Sequence, residues 1–300
     1  MELEIGHYLR SLELANYSKS TLKHRRIELG ILQRFLEKRD IFAAQAVTEK
    51  DIFDFMIKIK NTKSSLTKDN LSSSTLTTYI VCLRTFFSYL KEQNAILVNP
   101  AQKLKCPRQA VKLPRGYFTE EEVEKIFSVI DINNKFGIRD RAMLELLYST
   151  GLRASEALSL KPEDIDFEKN LVFVRHGKGA KERMTPIGKH ALFWVKYYLD
   201  NARIQIIGKK EIPFLFVGHG KNSGIYWALN QRIRIYKAKA GICKIGAAHL
   251  FRHTCATHML KHGADIRYVQ EMLGHEHIST TSVYTKVTIG HLKEAYHKVF

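Results

Sequence analysis

Apolar residues recur at intervals of three and four along the first hundred residues, a spacing that places them on one face of a helix. Four such runs cover residues 5–12, 22–36, 52–59 and 76–90. Ser18, Thr48 and Ser74 each precede a run, and their hydroxyls could accept hydrogen bonds from the free amides of a first helical turn. The pattern predicts a small helical bundle over residues 1–97, with a polar loop near residues 61–74.

The helical pattern stops at residues 98–116. This segment holds Pro100, Pro107 and Pro114 together with five basic residues and no acidic one. Proline fixes φ and removes an amide donor, so prolines this close together disfavour both a helix and a central strand. We predict an extended basic linker over 98–116, between an N-terminal domain over 1–97 and a C-terminal domain over 117–300.

Helical spacing returns after the linker and is interrupted by a short β pattern. Thr119 and Glu122 form a capping box, and a helix over about 138–149 ends at Gly151. The β-branched and apolar stretches 171–174 and 184–187 flank the turn-like sequence HGKGAKER, which predicts a hairpin with Lys178 at or near its tip. Further helices are predicted over residues 191–199, 229–240, 250–261 and 266–273. The expected fold class is mainly α with a small β-sheet (α+β) in the C-terminal domain.

Charge narrows the choice of partner. The 300 residues include 48 Lys plus Arg against 30 Asp plus Glu, which gives a net charge of +18. A surplus of this size favours a polyanion, and nucleic acid is the first candidate because Lys and Arg that neutralise phosphates release counterions. Binding to the ribosome or to an anionic membrane surface is the alternative.

Residue patterns argue against a membrane span and a secretory leader. No run of about 18 uncharged apolar residues occurs, and the N-terminus alternates charged and apolar groups at helical spacing. We therefore expect a cytoplasmic protein.

Metal and cofactor sites are not expected either. The cysteines, Cys82, Cys106, Cys243 and Cys255, are too far apart for a zinc or redox motif. His258 and His262 stand four apart on a predicted helix but lack the intervening Glu of a metalloprotease.

Several polar residues of the C-terminal domain could act on a phosphate. His249 and Arg252 are three apart, so they share one face of a predicted helix. Arg153 lies just past Gly151, at the start of another helix, and His275 precedes Tyr284 by nine residues. Taken singly, each has an ordinary explanation, such as a solvated charge, a salt bridge from Arg153 to Glu156, or a tyrosine that packs in the core.

Taken together, these residues resemble the tyrosine recombinase family, the lambda-integrase-like enzymes, and within it the Xer type. The matching segments are TGLRASE, GKGAKER, HLFRH and LGH followed by the tyrosine. The resemblance runs from about Thr119 to the C-terminus. It implies the following catalytic residues: Arg153, Lys178, His249, Arg252, His275 and Tyr284.

The same resemblance implies the arrangement around the catalytic domain. The N-terminal half is similar in kind to the family's helical core-binding (SAM-like) domain, and the two domains would form a C-shaped clamp on DNA. Residues after Tyr284 would form a terminal helix that docks on a neighbouring subunit. The expected partners are double-stranded DNA recombination sites, occupied by a homotetramer or by a heterotetramer with a second recombinase.

The implied reaction transfers a DNA strand to Tyr284 as a 3'-phosphotyrosyl ester, without metal or ATP. Arg153 and Arg252 would stabilise charge on the phosphate, because their planar guanidinium groups bind phosphate in a bidentate manner. His249 would take the proton of the phenol and Lys178 would protonate the leaving 5' oxygen. His275 would donate a hydrogen bond to the phosphate, and Glu156 could orient Arg153 or a neighbouring basic group.

Further basic residues could contact the DNA backbone, which positions a duplex without reading its sequence. These candidates are Lys181, Arg183, Arg232, Arg234, Lys237 and Lys239. An ordinary solvated surface charge is the competing interpretation for each of them.

Three other functions are weighed against the recombinase. A type IB topoisomerase uses the same chemistry, but the LGH segment and the two-domain length disfavour it. A DNA-binding protein without cutting activity is disfavoured because Arg153, Arg252 and Tyr284 are all present. A metal-dependent nuclease is disfavoured because no cluster of carboxylates has the spacing of metal ligands. The sequence leaves open whether the task is chromosome dimer resolution, integration of a mobile element or rearrangement of gene cassettes.

Overall fold

The computed structural model describes residues 1–63, 70–107, 116–175, 182–218 and 225–274. The chain divides into two compact units, Met1–Lys112 and Leu113–Phe300. Four of the predicted site residues lie outside the described residues. These are Lys178, Lys181, His275 and Tyr284.

The first unit is built from helices that pack around one apolar core. Its longer helices are α1 (Glu2–Leu14), α2 (Lys19–Glu37), α3 (Glu49–Asn61) and α4 (Ser73–Glu92). Leu32 of α2, Phe55 of α3 and Phe86 of α4 are all fully buried. The predicted caps at Ser18 and Thr48 are present and accept hydrogen bonds from the first turns of α2 and α3.

The cap of α4 differs from the prediction. Ser72, in extended conformation, accepts from the amide of Thr75 at 3.2 Å, so Ser74 lies inside the first turn. Successive serines are chemically equivalent as caps. The apolar pattern alone therefore could not tell which of them begins the helix.

The first part of the segment predicted as an extended linker packs on the first unit. The side chain of Asn99 donates to the carbonyl oxygen of Arg84 at 3.2 Å and to the hydroxyl of Ser88 at 2.9 Å, and it accepts from the amide of Ala101 at 2.8 Å. Ala101 is fully buried. An Asn-Pro pair favours a turn, and here the turn is held by the Asn side chain.

The second unit is mainly helical. Its helices are α5 (Glu120–Ser128), α6 (Lys135–Thr150), α7 (Ala154–Ser159), α8 (Lys189–Tyr198), α9 (Ile204–Ile207), α10 (Ile225–Lys239), α11 (Ala248–Lys261) and α12 (Ile266–Leu273). The predicted capping box of Thr119 and Glu122 begins α5. Gly151 ends α6 with a left-handed conformation, at φ 60°, as predicted.

Helix α6 lies at the centre of the second unit and packs against α8 and α11. Most of its residues are buried, so it lacks the polar face of a surface helix. Arg139 and Asp140 are buried in it as an ion pair with a shortest separation of 2.7 Å, and the hydroxyl of Tyr236 donates to the same carboxylate at 2.6 Å. The burial of α6 fixes the position of Gly151 and of the residues that follow it.

A three-stranded antiparallel sheet stands beside these helices, in the order β1 (Ile165–Asp166), β2 (Leu171–Val174) and β3 (Arg183–Pro186). Val174 faces Arg183 across the β2–β3 pair. Thr185 is buried while Met184 is 64% exposed, so the alternation turns Arg183 and Thr185 inward. The predicted fold class, mainly α with a small sheet, is confirmed.

No helix in the described part of the chain is both long enough and apolar enough to span a bilayer.

Candidate functional site

Arg252 is the most buried arginine of the site, with only 1% of its surface exposed. Its Nη1 atom donates to the carbonyl oxygen of Gly151 and its Nη2 atom to that of Leu273, each at 2.8 Å. One guanidinium thus joins the end of α6 to the end of α12 from its own place on α11. A permanently charged group is thereby fixed among carbonyl dipoles.

Arg153 stands two residues after Gly151, at the N-cap of α7. Its Nη1 atom lies 2.8 Å from Oε1 of Glu156, and its backbone amide donates to Oε2 of the same carboxylate, also at 2.8 Å. Its Nη2 atom donates to the carbonyl oxygen of Gly274 at 3.4 Å. Glu156 thus holds both the backbone amide and the side chain of Arg153.

A third guanidinium belongs to the same group. Arg183, on β3, donates from Nη1 and Nη2 to the two oxygens of Glu156, at 3.1 and 2.9 Å. Its Nε atom donates to the carbonyl oxygen of Met272 at 3.1 Å. Arg183 was predicted to contact DNA, but the structure places its donor groups on protein acceptors.

The three arginines converge on the end of α12. Arg183, Arg252 and Arg153 donate to the carbonyls of three successive residues, Met272, Leu273 and Gly274. The last carbonyls of a helix lack partners within the helix, and they carry the negative end of its dipole. The cations thus stabilise the end of α12 and fix the backbone immediately before His275.

Glu156 is the common acceptor of the site and is 2% exposed. Burial would raise the pKa of this carboxyl, but hydrogen bonds from the Arg183 guanidinium and the Arg153 amide outweigh burial and hold the pKa below its ordinary value. The carboxyl is therefore ionised at neutral pH. Since it offsets one of the two guanidinium charges beside it, Arg153, Glu156 and Arg183 together carry one net positive charge.

His249 and Arg252 both belong to α11, as predicted. The two differ in environment, because His249 is exposed while Arg252 is buried. Helix α11 thus carries a buried guanidinium and, three residues before it, an imidazole at the surface.

The other predicted DNA contacts fall into two groups. Arg234 and Lys239 of α10 are exposed, and the side chain of Arg232 is 40% exposed, with its Nε atom 3.4 Å from the carboxylate of Asp140. Lys237 is only 6% exposed, and its ammonium donates to the carbonyls of Lys244 and, at 2.7 Å, of Gly246. Lys237 thus holds the loop before α11, and burial lowers its pKa.

Sequence reasoning missed the structural roles of Arg183 and Lys237 because both looked like surplus basic charge. The period of two along β3 carried a signal for Arg183, since it places this residue on the same face as the buried Thr185. For Lys237 the helical spacing of α10 gave a similar signal, because the residue lies four positions after the buried Ile233 and so shares its face of the helix.

The histidines weighed as metal ligands take other partners. Nδ1 of His258 lies 2.8 Å from the hydroxyl of Tyr148, and Nδ1 of His262 lies 2.8 Å from the carbonyl oxygen of His258. Within the described ranges, no three His, Cys, Asp or Glu side chains come together as a metal site.

The sequence of residues 116–291 matches the model of the phage integrase family. This protein belongs to the phage integrase family. The match covers more than half of the chain and includes every residue of the arginine group described above. Curated relatives of this chain carry the name tyrosine recombinase, so the predicted resemblance to the Xer type of that family is confirmed.

Relatives in the family extend over nearly the whole chain. The tyrosine recombinase XerC of Oceanobacillus iheyensis is 38% identical, over 99% of this chain and 96% of its own length. The tyrosine recombinase XerA of Pyrococcus horikoshii is also 38% identical, over 96% of this chain and 90% of its own. The similarity to these relatives therefore extends to the N-terminal half of the chain, where the sequence motifs were weakest.

Solved structures show the same fold. A XerH site-specific recombinase bound to a palindromic difH substrate, in a post-cleavage complex, is 25% identical and has a TM-score of 0.71, over 94% of this chain and 80% of the other. A lambda integrase dimer bound to a core site has a TM-score of 0.70 at 18% identity, over 95% of this chain and 94% of the other, a similarity of fold alone.

Proposed function

We propose that this protein is a site-specific tyrosine recombinase that cleaves and rejoins DNA strands through a 3'-phosphotyrosyl intermediate on Tyr284. The observation that carries the proposal is the convergence of Arg153, Arg183 and Arg252 on the last carbonyls of α12. The chain that leaves this point enters His275 directly and reaches Tyr284 nine residues later.

Arg153 and Arg252 are the groups that stabilise charge on the phosphate. A pentacoordinate phosphorus carries more charge on its non-bridging oxygens than the ground-state diester does, so fixed cations favour the transition state. Both guanidinium groups are held by protein acceptors before DNA arrives. Little reorganisation is then needed at the moment of reaction.

Proton transfers complete the proposed reaction. A phenol has a pKa near 10, so Tyr284 needs a base, and the exposed His249 on α11 is the candidate. The phenolate oxygen attacks phosphorus, the bond to the 5' oxygen breaks, and Lys178 supplies that oxygen with a proton. His275 donates a hydrogen bond to the phosphate. Attack by a new 5' hydroxyl reverses these steps and rejoins the strand, because the ester conserves the bond energy.

The partner of the enzyme is double-stranded DNA. Relatives of the same family were solved on their DNA sites, and the net charge of +18 suits a polyanion. Strand exchange joins two duplexes, so four subunits act together, as a homotetramer or with a second recombinase. We assign contacts with the DNA backbone to Arg234 and Lys239, whose exposure supports this role. We place the enzyme in the cytoplasm, where it would meet chromosomal or mobile-element DNA.

The nucleophile can be tested with a duplex that the protein itself selects from a randomised pool. A nick beside the cleavage position lets the short product diffuse away, so a covalent adduct accumulates. We expect the wild-type protein to form a detergent-resistant adduct in the presence of a chelator. Tyr284→Phe should bind the same duplex and form no adduct.

A matched control is Tyr268→Phe, because Tyr268 lies on α12 and is 70% exposed. This variant should form the adduct at the wild-type rate. An adduct formed by Tyr284→Phe, or cleavage that a chelator abolishes, would contradict the proposed function.

A further inference from the structure

Arg183 occupies a position where three parts of the catalytic unit meet. It is the first residue of β3, directly across from Val174 of β2, and it follows Lys178 by five residues in the sequence. Its guanidinium reaches Glu156 on α7 through two hydrogen bonds and Met272 on α12 through a third. One side chain therefore ties the hairpin to α7 and to α12.

The contacts use the planar shape of the guanidinium. Nη1 and Nη2 each donate to a different oxygen of Glu156, while Nε donates away from them to the Met272 carbonyl. An ammonium is a point charge and could not bond all three acceptors in this geometry. The side chain of Arg183 is 13% exposed, so its charge is turned to the protein more than to solvent.

Glu156 transmits the position of Arg183 to Arg153. Its Oε1 atom accepts from both guanidinium groups, and its Oε2 atom accepts from the Arg153 amide and from Arg183. Arg183 supplies two of these four donors. With Arg183 removed, the buried carboxylate would keep its bonds to Arg153 alone, and both would be held less firmly.

Close packing supports a fixed position for this guanidinium. Gly274 adopts a left-handed conformation, at φ 65°, and a Cβ atom there would come within 3.3 Å of Cδ, Cζ and Nε of Arg183. Glycine is thus the residue that lets the backbone approach the guanidinium this closely. The carbonyl of the same glycine accepts from Arg153.

We propose that Arg183 is a positioning residue for strand cleavage, which aims Arg153 at the phosphate through the shared carboxylate of Glu156. The proposal rests on the function proposed above. Arg183 does not touch the reacting atoms in this role. It is distinct from a DNA-backbone contact, which would leave the guanidinium turned to solvent.

The first test is Arg183→Lys, which keeps the positive charge and loses the planar guanidinium with its several donors. Cleavage of the nicked, self-selected duplex is measured in single turnover at saturating protein, and the dissociation constant by gel shift. Misplacing a charge-stabilising group by about 1 Å costs roughly 100-fold in rate, so we expect cleavage to slow by about 10–100-fold. Binding should change by less than about threefold.

Arg175→Lys is the matched control. Arg175 follows β2 on the same hairpin and also bonds a buried carboxylate, that of Asp164 at 2.6 Å, but its own side chain is 42% exposed. This variant should cleave at nearly the wild-type rate. A binding loss in Arg183→Lys that accounts for its slower cleavage would make Arg183 a DNA contact and overturn the proposal.

A double-mutant cycle separates positioning from general damage to the fold. If Arg183 acts through Arg153, then Arg183→Lys should slow cleavage by less than about threefold in an Arg153→Lys background, because the group to be aimed is already impaired. Arg183→Gln, a second variant that lacks the guanidinium, should likewise slow cleavage by less than about threefold in the Arg153→Lys background. Full additivity with either variant would overturn the proposal.

A measurement without DNA keeps the inference separate from the proposed function. The Arg153 amide is held by Glu156, so in Arg183→Lys its hydrogen exchange should become about tenfold faster, while the amides in the middle of α6 stay protected. Unchanged exchange at Arg153 would overturn the positioning role. Failure of the wild-type protein to form any adduct would overturn the proposed function, whatever the exchange shows.

Discussion

The Nη2 atom of Arg252 donates a hydrogen bond of 2.8 Å to the carbonyl oxygen of Leu273. This bond links a residue expected to bind the scissile phosphate to the last residue of α12, from which the chain continues to His275. Because the other amino group of the guanidinium holds the Gly151 carbonyl, Arg252 also supports the fold that surrounds it. A change at this position should therefore affect stability as well as catalysis.

Arg252→Met should lower the unfolding free energy of the catalytic unit by about 2–4 kcal/mol, because two buried carbonyls lose their charged donor. Both tryptophans of the chain, at positions 194 and 227, lie in the second unit, so their fluorescence in urea reports that unit alone. Arg234→Met, at an exposed position of α10, should change stability by less than about 0.5 kcal/mol. Equal effects of the two variants would contradict the structural role of Arg252.

Glu156→Gln should destabilise the catalytic unit by about 2–3 kcal/mol at pH 7, since a buried carboxylate between two guanidinium groups is neutralised. The pKa of Glu156 is lowered from 4.5 in the folded protein, so its charge stabilises the fold above that pH and the stabilisation is lost as the pH falls through the folded pKa. The difference between wild type and variant should accordingly shrink below pH 4.5. If the difference in unfolding free energy between wild type and Glu156→Gln stayed the same below pH 4.5, the charge of Glu156 would not be its cause.

Much of the fold could be predicted from the sequence because its signals are local. The apolar spacing of α2, the capping box at Thr119 and the left-handed Gly151 each depend on a few neighbouring residues. The serine that caps α4 could not be chosen in this way, since the run of serines before Leu76 offers equivalent caps.

The site was harder to predict because its partners are distant in sequence. Arg153 and Glu156 are neighbours on one helical turn, and their pairing was expected. Arg183 bonds Glu156, 27 residues away in sequence, and Met272, 89 residues away. A pattern of neighbouring residues cannot predict contacts over such separations. The charge of Arg183 suggested a DNA contact, whereas the fold supplies two protein acceptors.

His258→Gln should reduce the pH dependence of stability. Burial lowers the pKa of His258 from 6.5, although the charge of Glu120 opposes the shift. Because protonation favours the unfolded chain, the contribution of the neutral ring is fully present above pH 6.5 and falls as the pH drops from there toward the folded pKa. At pH 7.5 the variant should be about 1 kcal/mol less stable than wild type, because it lacks the hydrogen bond to Tyr148. Between pH 7.5 and 5.5 the unfolding free energy of the variant should fall by less than that of wild type.

Tryptophan fluorescence in urea at the two pH values measures this difference. His262→Gln is the control one turn further on, where the side chain is 70% exposed and its replacement leaves stability nearly unchanged. An equally steep pH dependence in His258→Gln and wild type would rule out His258 as the source.

Gly151→Ala and Gly241→Ala form a pair that separates backbone strain from packing. Both glycines have a left-handed conformation, at φ 60° and 72°. A Cβ atom at Gly241 would meet nothing within 4 Å, whereas at Gly151 it would lie 2.6 Å from Cδ2 of Leu273 and 3.3 Å from Sγ of Cys255. Gly241→Ala should therefore cost only the strain, about 1–2 kcal/mol.

Gly151→Ala should cost about 2–4 kcal/mol, because overpacking adds to the same strain. The displaced Leu273 carries the carbonyl that accepts from Arg252, so this variant should also slow cleavage of the self-selected duplex, while Gly241→Ala cleaves at the wild-type rate. Urea unfolding and single-turnover cleavage measure the two effects on the same preparations. Equal losses of stability in both variants would mean that α12 does not pack against the end of α6 as the structure shows.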